Sequence, residues 1–141
     1  MKVKGIKSGE ISFDIDQDGF KFVTDAKKEF GGEGKGPSPK GLLLSGLIGC
    51  TGMDVVSMLK KMRVNYDKLE ITASADVTNE HPKVFTDITL VYSFEGADID
   101  SSKVKRAISL SMEKYCGVSA MLKEGDRKVI SELYINGSSI G

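Results

Sequence analysis

The sequence predicts an α+β fold, with antiparallel sheet packed against a buried helix. Apolar residues alternate with period two near the N-terminus, in the middle and at the C-terminus. The run from Lys40 to Arg63 is apolar nearly all round at helical spacing. A second helical face, Val104 to Met112, stands between the last two strand patterns. The order strands, helix, strands, helix, strand excludes a purely helical or purely β chain.

Each element has its own signal. Ile11, Phe13 and Ile15 alternate with Ser12, Asp14 and Asp16, and Phe20 and Phe22 continue the pattern on the return. Asp16-Gln17-Asp18-Gly19 between them supplies hairpin turn chemistry. Gly31-Gly32-Glu33-Gly34-Lys35-Gly36-Pro37 reads as a mobile connector or a loop bordering a site. It lacks the glycine spacing of a phosphate cradle. Ser38-Pro39 is an N-cap followed by proline at the first helical position.

The helix that follows carries Gly46, Gly49 and Gly52. Each glycine costs about 1 kcal/mol against alanine inside a helix. The recurrence means either that another backbone passes close or that the helix breaks near Gly49. Leu69, Ile71, Ala73 and Ala75 then alternate as a strand, Glu80 to Lys83 turns, and Val84 to Tyr92 returns. Asp98 to Ser101 opens a helix with acid at its N-terminus, which Gly117 interrupts. Lys128 to Ile135 is the last strand.

Composition narrows the function classes. The 141 residues suit a single domain over 1–141, with 40% hydrophobic and 28% charged residues. Twenty basic side chains balance twenty acidic ones, and no basic block displaces the counterions of a nucleic acid. Gly41 to Leu59 is long enough to suggest a membrane span, but Asp54 lies inside it, so a soluble protein is expected. Met1 to Glu10 lacks the apolar core of a signal peptide, which points to the cytoplasm. There a cysteine pair is more often catalytic, metal-binding or incidental than structural. One histidine and two cysteines form a poor metal set, so no bound cofactor or metal is expected.

Cys50 lies inside the apolar helix and Cys116 where the second helix breaks. Taken singly, each reads first as a small buried hydrophobe. The surrounding sequence says more. Pro37-Ser38-Pro39, followed by Leu42-Leu43-Leu44-Ser45-Gly46-Leu47-Ile48-Gly49-Cys50-Thr51-Gly52-Met53-Asp54-Val55-Val56-Ser57-Met58-Leu59-Lys60-Lys61-Met62, resembles the first cysteine motif of the OsmC/Ohr superfamily. Glu113-Lys114-Tyr115-Cys116-Gly117-Val118-Ser119 resembles its second, usually Cys-Pro-Val-Ser. Glu80-His81-Pro82-Lys83-Val84-Phe85-Thr86 resembles a segment of one OsmC-like branch.

That resemblance implies an OsmC-like fold, with antiparallel sheets wrapped around buried central helices in an intertwined homodimer. It implies an antioxidant stress-response enzyme that reduces organic hydroperoxides. Cys50 would attack peroxide and become a sulfenic acid, and Cys116 would resolve it as a disulfide. An external dithiol, lipoyl or thioredoxin-like, would reset the pair. Leu44, Leu47 and Met53 would wall the substrate site.

The sequence departs from the family pattern in one respect. Members use an N-terminal arginine and a glutamate near the start of the first-motif helix. Here no arginine precedes Arg63, and Lys40-Gly41 occupies the helix start. Lys40, Lys35, Glu33 and His81 are the candidate replacements. Asp54 falls on the same helical face as Cys50 and is expected to cap or pair elsewhere. Two rival readings follow from the missing pair: an OsmC-like dimer without peroxidase activity, acting as a binding or structural protein, and a slow thiol redox sensor.

Overall fold

The computed structural model describes residues 1–141. The chain forms two compact units, Met1–Leu44 and Ser45–Gly141.

The first unit is a three-stranded antiparallel sheet, β1 (Val3–Lys7), β2 (Phe13–Gln17) and β3 (Phe20–Thr24), in sequence order. The hairpin turn sits at Asp18 and Gly19, both at positive φ (55° and 85°). Asp16 Oδ1 accepts from Gly19 N at 3.0 Å and closes it. β1 was not legible in Val3-Lys4-Gly5-Ile6-Lys7, where lysines and a glycine blur the alternation.

The glycine-rich loop is not the mobile connector expected from its composition. Asp25, almost fully buried, accepts backbone hydrogen bonds from Ala26, Glu33 and Lys35 at 2.7, 3.1 and 3.1 Å. Gly34 N donates to Ala26 O at 3.0 Å, and Asp25 N donates to Pro37 O at 3.2 Å. A Cβ at Gly32 would collide with the Ala26 carbonyl, and one at Gly36 with the Val23 carbonyl. The glycines let residues 32–37 lie flat against the backbone of residues 23–26.

Helix α1 (Pro39–Lys61) is continuous, with Ser38 Oγ accepting from Gly41 N at 3.2 Å. It does not break near Gly49. Cys50 therefore stands mid-helix, without help from a helix N-terminus.

The second unit holds a four-stranded sheet in sequence order, β4 (Lys68–Val77), β5 (Phe85–Glu95), β6 (Val129–Ile135) and β7 (Ser138–Ser139). The expectation of an antiparallel sheet fails at one pair: β5 and β6 are parallel. A parallel pair needs a crossover of a dozen or more residues. Helix α2 (Ser101–Leu110), a π-helical turn (Ser111–Tyr115) and α3 (Gly117–Leu122) supply it. Asp100 caps α2, accepting from Ser102 N and Lys103 N at 3.1 and 3.2 Å.

The core of this unit joins β5, α2, α1 and, through Leu133, β6. Ile88, Leu90, Tyr92 and Phe94 alternate on one face of β5 and are buried, as are Val104, Ala107 and Ile108 of α2. From α1 come Leu47, Thr51, Val55 and Leu59, a single stripe four residues apart. Fully burying each apolar member is worth about 1.5–3 kcal/mol. The helix is not enclosed within one chain, however. Leu43, Met53 and Val56 are exposed, Met53 to 76%. A Cβ at Gly46 or Gly49 would meet nothing within 4 Å, whereas one at Gly52 would lie 3.2 Å from the Ile71 side chain.

Candidate active site

The cysteines meet within the second unit. Cys50 comes from the middle of α1 and is half-buried; Cys116 is buried. Both sulfurs and the nearest Asp54 carboxylate oxygen lie within 4.8 Å of one another. Both thiols are free. A disulfide needs a sulfur separation of about 2.05 Å, so closure requires a small inward movement.

Local geometry explains how Cys116 arrives. The π-helical turn after α2 ends with Cys116 N donating to Ser111 O at 2.8 Å. The chain then straightens at Cys116 itself (φ −74°, ψ 98°), and Gly117 opens α3. The break therefore falls on the cysteine rather than on Gly117. As N-cap of α3, the Cys116 sulfur accepts from Ser119 N at 3.3 Å. The Ser119 hydroxyl is buried without a partner.

Asp54 does not pair elsewhere, contrary to expectation. It belongs to the cysteine cluster and anchors a chain of buried hydroxyls. Ser111 Oγ donates to Asp54 Oδ2 at 3.0 Å. Thr51 Oγ1 lies 3.0 Å from Ser111 Oγ and 2.6 Å from Tyr92 Oη. A hydroxyl has one hydrogen to give. Ser111 spends its hydrogen on Asp54, so it accepts from Thr51. Thr51 thereby spends its own and accepts from Tyr92. Met112 Sδ, at 3.8 Å from Thr51 and 3.7 Å from Tyr92, is the weaker acceptor for both. The order is Tyr92 to Thr51 to Ser111 to Asp54, every donor pointing toward the carboxylate.

Burial dominates the electrostatics. It pushes the Cys116 thiol up to about 11, with the Cys50 thiol and the Asp54 charge adding to the rise and the Ser119 N–H opposing it. It pushes Tyr92 up to about 12 against the Thr51 hydrogen bond. Cys50, Asp54 and Cys116 together offer three donors to a metal ion, one fewer than a closed structural zinc site. Asp54 also lines an open cleft of about 400 Å³ with Met58, Lys61, Met62, Leu110 and Tyr115.

These two sulfurs, remote in sequence and joined in space, lie within the segment that decides the family. The sequence model described as OsmC-like protein matches residues 32–129. The chain belongs to the OsmC-like family. Protein YhfA of Escherichia coli K12 is 39% identical over 90 residues, 64% of this chain and 67% of YhfA. A hypothetical protein from Aquifex aeolicus VF5 is similar in structure, with TM-score 0.81 and 29% identity over 96% of both chains. The organic hydroperoxide resistance protein OhrB of Bacillus subtilis shares the fold at TM-score 0.66 and 22% identity, over 94% of this chain and 96% of that one.

The other residues singled out by sequence stand as follows. Lys35 and Glu33 pair with each other at 3.0 Å, and Glu33 Oε1 also accepts from Glu10 N at 3.1 Å. Lys40 is exposed in the first turn of α1. His81 is exposed in the turn between β4 and β5. Of the expected apolar walls, Leu47 is fully buried in the core and Met53 points outward. The cleft that Asp54 lines includes Met58, Met62 and Leu110, and neither cysteine lines it. Sequence reasoning missed Ser111, Thr51 and Tyr92. Their signal was faint: Thr51 and Ser111 are hydroxyls placed inside otherwise apolar helical stripes.

Proposed function

We propose that this OsmC-like protein reduces hydroperoxides through Cys50 and Cys116. The observation that carries the reading is the approach of two free sulfurs within 4.8 Å, one half-buried and one buried. The family membership supports peroxide-related redox chemistry. The more accessible sulfur, Cys50, attacks the distal peroxide oxygen. An alcohol leaves and Cys50 becomes a sulfenic acid. Cys116 attacks that sulfur, water leaves, and a disulfide forms. An external dithiol of lipoyl or thioredoxin-like type restores both thiols. Organic hydroperoxides are the preferred substrates, supported by Met58, Met62 and Leu110 in the cleft that Asp54, within 4.8 Å of both sulfurs, also lines.

A homodimer of single-domain subunits fits the exposed surfaces. Leu43, Met53 and Val56 on α1, and Phe13 and Phe20 in the first sheet, are left uncovered by one chain. Helix α1 is long and apolar enough to cross a membrane by length and composition alone. Thr51 and Asp54 in its middle are instead committed to hydrogen bonds with Tyr92 and Ser111. A soluble cytoplasmic dimer is the reading we adopt.

Reduced protein mixed with stoichiometric cumene hydroperoxide tests the function. Two thiols should disappear within seconds, and Cys116→Ser should trap a sulfenic acid on Cys50, visible by intact mass. Cumene hydroperoxide should also be reduced more efficiently than hydrogen peroxide. A slow redox sensor is the second reading, favoured by the high Cys116 pKa. It predicts slow thiol loss to peroxide and faster reaction with disulfide reagents. No thiol loss to either would leave an inert dimer.

A further inference from the structure

The burial of Cys116 sets a condition on the resolving step. Burial holds the proton on the Cys116 thiol and pushes its pKa well above the ordinary value. Cys116 cannot wait as a thiolate. Its proton has to leave as its sulfur attacks, and some group has to accept that proton.

We propose that Asp54 is that group: it takes the proton of Cys116 as Cys116 closes on the Cys50 sulfur, and the Tyr92–Thr51–Ser111 chain holds its carboxylate in place. The proposal rests on the Cys50–Cys116 pairing above, but not on peroxide being the oxidant.

The titratable groups around Asp54 leave little choice. Cys50 and Lys61 come from its own helix, Cys116 and Tyr115 from the segment after α2, and Tyr92 from β5. Cys50 is the sulfur under attack. Lys61 is cationic, and the phenols are weaker bases than a carboxylate at neutral pH. A carboxylate within 4.8 Å of both sulfurs can reach the proton through one water, or directly once the sulfurs close.

The hydroxyl chain orients the carboxylate. All its donors point toward Asp54, and Ser111 fixes one carboxylate oxygen at 3.0 Å. Ser111, Thr51 and Tyr92 are positioning residues, since none contributes an atom to the reaction.

The step balances. The Cys116 sulfur lone pair forms the S–S bond, and the S–O bond of the Cys50 sulfenic acid breaks with its electrons going to oxygen. The proton passes from Cys116 to Asp54 and then to that oxygen, which leaves as water. The Cys116 sulfur is oxidised and the Cys50 sulfur is reduced to the disulfide level.

A methylthiolating reagent, methyl methanethiosulfonate, tests this without peroxide. It caps Cys50 as a mixed disulfide, and Cys116 then closes the ring and expels methanethiol. Both steps are followed by intact mass on the full chain. In Asp54→Asn the mixed disulfide should persist on the order of 100-fold longer, the usual loss for a general base. The capping of Cys50 should keep its rate. Ser111→Ala keeps the charge but frees the carboxylate, and should slow closure several-fold.

The opposite result is equally definite. If Asp54 is merely a negative neighbour holding the proton on sulfur, Asp54→Asn will close faster than wild type. Faster or unchanged closure overturns the proposal. Should Asp54→Asn fail to fold, Ser111→Ala decides, and unchanged closure in that variant overturns it. Asp54-dependent closure in a protein inert to cumene hydroperoxide would uphold this proposal while ending the peroxidase reading. A wild-type mixed disulfide that never closes would end both.

Discussion

Thr51 Oγ1 and Tyr92 Oη lie 2.6 Å apart, fully buried, and tie the centre of α1 to β5. The bond sits in the middle of an ordered series, so the two partners should not be equivalent on removal. Tyr92→Phe deletes only the terminal donor, since Thr51 still donates to Ser111. It should cost about 0.5–1.5 kcal/mol. Thr51→Val cuts the series at its centre and leaves the Tyr92 hydroxyl buried without its oxygen acceptor. That should cost about 1–3 kcal/mol. Urea unfolding at one fixed protein concentration checks the order. Equal costs, or the reverse order, would contradict the donor directions assigned here.

Cys116 should react far more slowly than Cys50 at neutral pH. It is buried, and its thiol is pushed up to about 11 from 9.0. In Cys50→Ser, iodoacetamide should leave Cys116 largely unmodified until the solution is strongly alkaline, whereas Cys116→Ser should be labelled readily at Cys50. The same shift makes an alkaline stability prediction. Below pH 9.0 both the folded and unfolded chains hold the thiol proton, so the contribution is fully present. As pH rises toward about 11, the unfolded chain ionises first and stability is lost. Cys116→Ala should flatten that part of the stability–pH curve. Labelling of Cys116 at the rate of a free cysteine would contradict its burial.

Much of this arrangement was legible in the sequence, for reasons that can be named. The β2–β3 hairpin and β4 announced themselves by alternation, and Ser38 and Asp100 by capping chemistry. Alternation carries no strand direction, so the parallel β5–β6 pair was missed, although a helix between two strands is the natural crossover for one. The cysteine pairing came from family resemblance rather than from spacing. Asp54 was correctly placed on the Cys50 face, but its partners were not visible. Helical periodicity gives a face without saying what the rest of the chain brings to it. Asp25 was overlooked because a lone aspartate before a glycine-rich loop looks like solvated surface, while here its carboxylate organises that loop.

Asp25 should make the loop acid-labile. The backbone N–H of Lys35, aided by those of Ala26 and Glu33, holds its carboxyl below its ordinary value of 3.8. A lowered carboxyl contributes stability that is fully present above the ordinary value and is lost as pH falls through the lowered one. Amide exchange at Glu33 and Lys35 should therefore accelerate on acidification before the β4–β5 pairing opens. Asp25→Ala should remove the protection at every pH. Slow exchange at those two amides in Asp25→Ala would show that the glycine backbone holds itself.

Gly46 and Gly49 offer the sharpest test of a second subunit. Within one chain a Cβ at either position meets nothing within 4 Å. If the monomer were the working form, Gly46→Ala and Gly49→Ala would each stabilise the helix by about 1 kcal/mol through propensity alone. In the proposed dimer the same glycines lie on an apolar helix whose Leu43, Met53 and Val56 are otherwise exposed, a face that close packing would cover. Added methyl groups there would force two surfaces apart, at a typical overpacking cost of about 1–3 kcal/mol. Sedimentation at several concentrations, combined with unfolding, separates the cases. The dimer predicts weaker self-association in both variants and lower stability at low concentration. Higher stability with no change in sedimentation would argue for a monomer whose glycines have no packing role.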